Sequence, residues 1–391
     1  MRVEANPYTP NAGAKPPALV GRDEELEAFE VLLARLLRGH TEQSMLVSGL
    51  RGVGKTVLLT RFGELAREAG WATVEAEITK NSDFGDRMAN LARRALLQLA
   101  PRDRWRERAI RAAAVLRSFQ VTLRPDGSAT AGFDVAPAEG LADSGRLDED
   151  LTDVFVALGE AAQEHDSGVV FLVDEVQFLQ LPEFEALIAA IHKTVQRQLP
   201  ITLVGAGLPQ LPRLAAEAKS YAERLFKFPQ IGRLSEDQAQ VALAAPAESL
   251  GVEFDPDALS AVVEFTEGYP YFLQEYGNTL WNQIAASPVT AEDVALAQFA
   301  VEAKLDGGFF RVRVERASEL EQRYLRAMAE LGPEPQAAKD VAAVLGRTSQ
   351  QVGPIRSRLI EKGLLYAPGR GLAAFTVPQF DRFMRRTYAL Q

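Results

Sequence analysis

The chain has 391 residues, of which 47% are hydrophobic and 25% are charged, and its formal net charge is −10. This composition is typical of a globular protein with a sizeable core and about two or three domains, and it argues against a surface that is basic throughout. The absence of cysteine excludes disulfides, thiol nucleophiles and cysteine-based zinc sites. No apolar run approaches the ~18 residues of a membrane span, and the first residues lack the apolar core of a signal peptide. We therefore expect a cytoplasmic protein without a membrane partner.

The first part of the chain predicts an extended arm followed by a sheet domain. Residues 1–20 are rich in Pro, Asn and Gly, and a helical pattern with an acidic first turn follows them. Five apolar runs separated by helical patterns then occur, reading SMLVS, WATVEAEI, GVVFLVDE, PITLVGAG and LFKFPQI. Strands that alternate with helices indicate an α/β fold, so residues 21–233 predict a five-stranded parallel sheet with helices on both faces.

Residues 102–140 interrupt this alternation. An arginine-rich helical segment is followed by Ser118–Val135, where apolar and polar residues alternate around Pro-Asp-Gly. That pattern predicts a hairpin. We interpret the region as an insertion on the sheet domain, either a solvated decoration or an arm that docks a partner.

The last third of the chain is helical and then changes charge. Residues 234–310 show only helical patterns and predict a helical subdomain. Residues 311–391 contain 14 Lys+Arg and 8 Asp+Glu, a net charge of +6, which leaves −16 for residues 1–310. This asymmetry predicts a separate C-terminal module with its own partner.

A phosphate-binding loop follows the first predicted strand. Its sequence, GLRGVGKT, matches the pattern G-x-x-x-x-G-K-[ST] of the P-loop, or Walker A motif. Its glycines let the backbone N–H groups turn toward a β-phosphate, and the following helix adds its positive N-terminal end. Lys55 is placed to reach the β- and γ-phosphates, and the Thr56 hydroxyl to ligate Mg²⁺. We predict ATP and Mg²⁺ as cofactors, bound by Gly49, Arg51, Gly52, Val53, Gly54, Lys55, Thr56 and Val57.

The third predicted strand ends in an acidic pair, the pattern of a Walker B motif. Asp174 falls at the carboxyl edge of the sheet, where it would hold Mg²⁺ through water. Glu175 follows at once and is placed to polarise the water that attacks the γ-phosphate. A small-molecule kinase must exclude that water, whereas a hydrolase must orient it. The pair therefore predicts an ATPase with Lys55 and Glu175 as catalytic residues.

Six motifs occur in a fixed order, reading LVGRDEEL, GLRGVGKT, FLVDEVQFL, LVGAGLPQL, SYAERLFKFPQIGRLS and EGYPYFLQEYG. With them the chain resembles an AAA+ ATPase, in particular the archaeal-type ATPases that neighbour the STAND signalling ATPases and the archaeal replication initiators. The resemblance implies that the helical subdomain is a lid over the nucleotide. It also implies two sets of residues around the base: Val20, Gly21 and Arg22 against the adenine, and Gly268, Tyr269 and Pro270 closing the pocket from the lid.

The resemblance raises two further points. Arg224 resembles an arginine finger aimed at a neighbouring subunit's γ-phosphate, which implies self-association; an internal salt bridge or a surface arginine are the alternatives. The family usually places a polar sensor at the end of the fourth strand, but here that end reads Val-Gly-Ala-Gly. Glycine N–H groups, Gln177 or Gln210 would replace the sensor, or else hydrolysis is slow and the protein acts as a switch.

The C-terminal module resembles a winged helix-turn-helix domain. Three helical patterns are followed by a tight turn, APGRG, and a returning strand, LAAFTV. Such a domain would read bases with Ser349, Gln350 and Gln351, while a basic set would meet phosphates: Arg356, Arg358, Lys362, Arg370, Arg382, Arg385 and Arg386. Pro354 interrupts the reading helix unless that helix begins there.

Two functions remain open at this stage. In the first, a Mg²⁺- and ATP-dependent AAA+-like ATPase binds duplex DNA through its C-terminal winged helix. In the second, a STAND-like nucleotide switch with slow turnover uses the same module to bind protein or its own core. The basic charge favours the first, and the missing polar sensor favours the second.

Overall fold

The computed structural model describes residues 2–11, 13–80, 83–99, 102–124, 133, 135–284 and 286–390. Its centre is a parallel sheet of five strands: β1 (Ser44–Ser48), β2 (Ala72–Glu77), β3 (Val169–Asp174), β4 (Ile201–Gly207) and β5 (Phe226–Lys227). The strand order is β2-β3-β4-β1-β5. The predicted five-stranded parallel sheet is therefore confirmed.

Helices cover both faces of the sheet: α1 (Asp23–Leu37) and α2 (Lys55–Glu68) on one face, and α3 (Phe84–Leu99), α4 (Glu107–Leu123), α5 (Leu147–Glu164) and α6 (Leu181–Gln196) on the other. Alternate residues of β3 pack against the helices on the two opposite faces of the sheet. Phe171 stacks on Phe155 of α5 with ring centroids 4.6 Å apart, whereas Leu172 packs in the cluster that holds Phe62 of α2. A strand buried on both faces must be apolar throughout, which explains its continuous hydrophobic run. Two short helices, α7 (Leu211–Ala218) and α8 (Ala222–Leu225), lead from β4 to β5.

The predicted hairpin at Ser118–Val135 is wrong in its first half, because α4 continues to Leu123. Ala112, Leu116 and Phe119 are buried at helical spacing against the main core, so they form a helix face rather than alternating sides of a strand. The segment is thus part of the core and not a solvated decoration. Residues 125–132 and 134, the second half of the predicted hairpin, lie outside the described residues.

The lid contains α9 (Glu236–Glu248), α10 (Pro256–Thr266), α11 (Pro270–Gln283) and α12 (Ala291–Lys304). No loop follows α12. Its helical backbone continues through a π-helical stretch, Leu305–Arg311, into α13 (Val312–Val314). The helical run therefore crosses the predicted boundary at residue 310 without a break.

The C-terminal module, residues 315–390, combines helices with a small antiparallel sheet. Its elements are α14 (Glu319–Glu330), β6 (Gln336–Ala337), α15 (Ala338–Val344), α16 (Ser349–Glu361), β7 (Leu365–Tyr366), β8 (Leu372–Phe375) and α17 (Phe380–Thr387), with the strands in the order β6-β8-β7. Thr348 caps α16, its hydroxyl accepting from the N–H of Gln351. The helix therefore begins before Pro354, and the alternative start at that proline is wrong.

Lid and C-terminal module share one hydrophobic core. Phe310, in the π-helical stretch, stacks on Phe383 of α17 with ring centroids 5.1 Å apart and also meets Phe272 of α11. Ion pairs reinforce this packing, since Arg382 contacts Glu267 of the lid at 2.6 Å. No helix among the described residues has the length and apolarity that crossing a bilayer requires.

The N-terminal arm is fixed to the lid. Tyr8 is 2% exposed, and its hydroxyl donates to the carbonyl of Leu243 at 2.6 Å. The ring lies so close to Gly277 of α11 that a Cβ there would be 2.5 Å from Cδ1 of Tyr8. The arm thus runs along the lid before it reaches α1.

Replacing Tyr8 by alanine is expected to lower the free energy of unfolding by about 3–5 kcal/mol, because a buried aromatic ring and its hydrogen bond are lost. Urea titration followed by circular dichroism measures this. Val3, which is 60% exposed, provides the control, and Val3→Ala should change the value by less than about 0.5 kcal/mol. Equal midpoints for the two variants would show that the arm is not anchored by Tyr8.

Candidate functional site

A cavity of about 580 Å³ opens between the arm, the carboxyl edge of the sheet and the lid. This is within the size range of small-molecule sites. Its floor is the loop between β1 and α2, together with Asp174 and Glu175. One wall comes from described residues of the arm between Thr9 and Val20, and the opposite wall comes from α11 and the π-helical stretch. The predicted phosphate loop and acidic pair therefore share one cavity.

The loop after β1 has the backbone that its glycines predict. Gly52 and Gly54 have φ values of +83° and +92°, which favour glycine. Helix α2 begins directly afterwards at Lys55, so its N-terminal end points into the cavity. A Cβ at Gly49 would lie 2.4 Å from the carbonyl oxygen of Ile231, which explains a glycine at the first position.

Lys55 is folded back on its own loop. Its Nζ donates to the carbonyls of Gly49 at 3.0 Å and Leu50 at 2.8 Å. Burial lowers the pKa of Lys55 to about 8, an effect that the nearby Glu175 and Asp174 oppose. A buried ammonium that bonds only neutral carbonyls gains from a phosphate oxygen in their place.

Thr56 and Asp174 meet at one point. The hydroxyl Oγ1 of Thr56 donates to Oδ2 of Asp174 at 2.6 Å. Mg²⁺ takes oxygen ligands at about 2.0–2.1 Å in an octahedron, so adjacent ligand oxygens lie about 3 Å apart. These two oxygens therefore fit one Mg²⁺ ion. Within the described residues no group of three or more His, Asp or Glu converges, so such an ion would take its other ligands from phosphate and water.

Two neighbouring side chains hold the Glu175 carboxylate. Its Oε1 accepts from Arg51 at 3.1 Å, and its Oε2 accepts from the side-chain amide of Gln177. Gln177 is anchored in turn by the N–H of Leu208, at the end of β4, at 3.1 Å. The glycine end of β4 thus makes room for Gln177, one of the two predicted substitutes for the missing sensor. Neither Gln177 nor the other substitute, Gln210, lines the cavity itself, but Gln177 contacts Glu175, which does.

Arg51 connects the loop to the C-terminal module. Its backbone N–H donates to the carbonyl of Thr376, just after β8, at 2.9 Å. A Cβ at Gly363, between α16 and β7, would lie 3.3 Å from the Arg51 guanidinium. One loop residue therefore contacts both the C-terminal module and Glu175.

The residues assigned to the base divide into two groups. Val20, Arg22 and Pro270 line the cavity, whereas Gly21, Gly268 and Tyr269 do not. Gly49, the first residue of the phosphate loop, does not line it either. Arg22 is 6% exposed and donates to the carbonyls of Val53 at 3.0 Å and Gly232 at 2.9 Å, and burial lowers its pKa. It ties the loop to the segment after β5.

Some lining residues were absent from the prediction: the arm residues Thr9, Pro10, Asn11, Gly13, Ala14, Pro16 and Ala18, and Tyr271, Gly308, Phe309 and Arg313 from the lid side. The residue types of the arm gave no binding signal. Tyr271 directly follows the Gly-Tyr-Pro motif, so its position beside the cavity could have been inferred from the sequence. Arg313 reaches the cavity only because α12 continues past residue 304.

Arg224 lies away from its own cavity. It is exposed and precedes β5, whose Phe226 pairs with Ser44 at the start of β1. The phosphate loop follows the opposite end of β1. A finger role thus requires a second subunit and stays a prediction.

The residues assigned to DNA have different surroundings. Ser349, Gln350 and Gln351 are exposed at the start of α16. Most of the basic set is engaged within the chain: Arg356 donates to the carbonyl of Leu372, Arg358 and Lys362 pair with Glu321, Arg382 with Glu267, Arg385 with Asp381 and Arg386 with Asp306. Arg370 is exposed, with no ion pair or side-chain hydrogen bond to the described residues.

Two family models match the chain. An AAA ATPase domain covers residues 18–204, and a domain of unknown function (DUF8462) covers residues 307–384. The first contains the phosphate loop and the acidic pair; the second spans the π-helical stretch and most of the C-terminal module. Comparison with curated proteins gave no match.

Solved structures share the fold over nearly the whole chain. A Walker-type ATPase of Pyrococcus abyssi is 16% identical, with a TM-score of 0.54 over 95% of this chain and 97% of that one. The Aeropyrum pernix ORC2 protein, solved in ADPNP–ADP complexes, is 18% identical, with a TM-score of 0.55 over 96% and 95%. At these identities the similarity is one of fold.

Replacing Lys55 by alanine is expected to weaken ATP binding about 100-fold or more, because charge-assisted bonds to two phosphates are lost at about 1.5–3 kcal/mol each. Isothermal titration calorimetry measures the dissociation constant. Lys227, which pairs with Glu42 at 2.9 Å outside the cavity, gives the control Lys227→Ala. A wild-type dissociation constant for Lys55→Ala would contradict the assignment of the loop.

Proposed function

Since the chain is an AAA+ P-loop ATPase, we propose that it works as a Mg²⁺- and ATP-dependent switch whose C-terminal module contacts its own nucleotide-binding loop. The observation that carries this proposal is the hydrogen bond from the N–H of Arg51 to the carbonyl of Thr376. Loop N–H groups are the donors that cradle phosphates. A phosphate in the loop and the C-terminal module therefore compete for the same donor.

The residues of the site perform separate tasks in this switch. Lys55 leaves the loop carbonyls and bonds phosphate oxygens, while Thr56 and Asp174 hold Mg²⁺. The ion, when bound, neutralises charge that develops on the phosphates. Glu175 orients the attacking water and accepts its proton, which requires that Arg51 and Gln177 release the carboxylate. Release of these two contacts is therefore part of the proposed switch.

The C-terminal module moves with the nucleotide in this proposal. When a phosphate takes the N–H of Arg51, the module loses its direct bond to the loop. The same event draws the Arg51 guanidinium from Glu175, because a phosphate in the loop offers charge-assisted bonds that compete with those of the carboxylate. Release of the module and readiness for hydrolysis are therefore coupled through one residue.

The absence of cysteine makes the switch measurable with site-specific labels. Glu223 on α8 and Glu361 on α16 are exposed, so Glu223→Cys/Glu361→Cys can carry a donor and an acceptor dye. ATP is expected to change the energy transfer between them, and the change should be absent when Lys55→Ala is added. Equal transfer with and without saturating ATP would reject the switch.

Replacing Glu175 by glutamine is expected to leave ATP affinity within a few-fold of wild type and to lower turnover by about 100-fold or more, because the base that orients water is lost. A phosphate-release assay beside a binding titration measures both. Glu185 on α6 lies outside the cavity and gives the control Glu185→Gln. Unchanged turnover in Glu175→Gln would mean that another group positions the water.

Duplex DNA is a second candidate partner. Three of the four helices of the C-terminal module, α14 to α16, and its antiparallel strands support a winged-helix interpretation. The exposed start of α16 and the exposed Arg370 in the β7–β8 turn favour nucleic acid. The intramolecular bonds of the other basic residues oppose it, as most are already neutralised. Self-association is a further part of this proposal, in which Arg224 of one subunit would reach the γ-phosphate bound by its neighbour.

DNA binding is tested by fluorescence anisotropy of a labelled duplex at several salt concentrations, with and without ATP. If the module binds DNA, affinity falls steeply with salt, and Arg370→Ala lowers the slope by about one phosphate contact. Arg323→Ala, on the exposed side of α14, is the control. No binding at low salt would exclude this candidate while leaving the switch untouched.

A further inference from the structure

We propose that Arg313 is a phosphate-binding residue of the nucleotide site, supplied by the segment that joins the lid to the C-terminal module. This inference rests on the proposed function, because it assigns the ligand of Arg313 to the nucleotide in the same cavity. It adds a contact from outside residues 18–204, the part of the chain that matches the AAA ATPase domain.

The position of Arg313 is fixed by a chain of aromatic contacts. Its guanidinium lies over the ring of Phe309, with 4.0 Å from Cζ to the ring centroid. Phe309 stacks on Tyr271 at 4.5 Å, and the N–H of Tyr271 donates to the carbonyl of Gly52 at 3.1 Å. The guanidinium is thereby held beside the loop that cradles phosphates, and it lines the cavity together with Lys55.

The charge of Arg313 has no counter-ion among the described residues. Its side chain donates to the carbonyl of Phe309, but no carboxylate of those residues lies within ion-pair distance. Arg51 beside it is paired with Glu175. Burial, followed by repulsion from Arg51, lowers the pKa of Arg313 to about 10. A half-buried cation without a counter-ion is costly, and an anion that enters the cavity lowers that cost.

Phosphate is the anion that fits this arrangement. A guanidinium binds phosphate oxygens through paired N–H donors, and it stacks on an aromatic ring while doing so. The cavity already presents loop N–H groups, Lys55 and the Thr56–Asp174 pair for the same ligand. Arg313 adds a donor from the opposite wall, so a polyphosphate would be held from two sides.

The local backbone also marks the segment as functional. Arg313 follows a π-helical stretch, Leu305–Arg311, which contains two consecutive glycines, Gly307 and Gly308. Such stretches are rare and occur frequently at functional sites, and glycine weakens a helix interior. This stretch brings Phe309 and Arg313 into the cavity. A phosphate bound by Arg313 would therefore pull on the segment that leads into the C-terminal module.

The test compares Arg313→Ala and Arg313→Lys with the wild type by calorimetric titration of ATP and by the melting temperature without ligand. Arg313→Ala is expected to bind ATP about 10- to 100-fold more weakly, and Arg313→Lys to recover part of the loss by retaining the charge. The melting temperature of the unliganded protein should not fall, because an unpaired cation is removed. Arg311, exposed and outside the cavity, gives the control Arg311→Ala, with wild-type affinity.

Two results would overturn the proposal. Wild-type ATP affinity in Arg313→Ala, beside a large loss in Lys55→Ala, would show that the nucleotide site is correct but that Arg313 does not bind phosphate. A lowered melting temperature without ligand, with no recovery of ATP affinity in Arg313→Lys, would show a structural role. Wild-type affinity in Lys55→Ala would instead refute the proposed function itself.

Discussion

The 2.6 Å hydrogen bond between Thr56, at the start of α2, and Asp174, the last residue of β3, connects the loop that follows β1 to a strand that is not its neighbour, since β4 lies between β1 and β3. It exists because all five strands run in one direction, so their carboxyl ends meet at one edge. The phosphate loop follows β1 there, and the acidic pair ends β3. Every later feature of the site, including the lid, the arm and the C-terminal module, closes around this edge.

Three positively charged side chains at the cavity are hydrogen-bonded to other groups of the protein. Lys55 bonds loop carbonyls, Arg51 bonds Glu175, and Arg313 bonds a carbonyl of its own helix. Each cation uses a partner that a phosphate would replace. A phosphate that enters the site would therefore exchange existing bonds rather than create all of its bonds anew. Such exchange allows a small ligand to alter contacts with a distant module.

The sequence was sufficient for the sheet, the phosphate loop and the acidic pair, because strand patterns and local motifs decide them. It was insufficient for α4, where Phe119, Val121 and Leu123 alternate as in a strand although the buried face repeats at helical spacing. The sequence also left open that the helix begins at Pro354, whereas this proline lies inside α16 because Thr348 caps the helix earlier. Helix and strand periods are hard to separate over so few residues.

The surroundings of single charges depend on packing that no local pattern encodes. Glu321 is 1% exposed and pairs with both Arg358 and Lys362, residues about forty positions away in the chain. A count of basic residues therefore overstates the positive surface of the C-terminal module. Arg313 is the opposite case, because long-range folding leaves it beside the cavity with no carboxylate of the described residues within ion-pair distance.

The unbroken helical run from Ala291 to Val314 restricts where the molecule can bend. Because no loop separates them and they share one hydrophobic core, the lid and the C-terminal module would move together as one rigid body. Bending is then left to the segment where the lid leaves the sheet domain, near Gly232, where a Cβ would meet no atom within 4 Å. A rotation there would carry the lid, the π-helical stretch and α16 together.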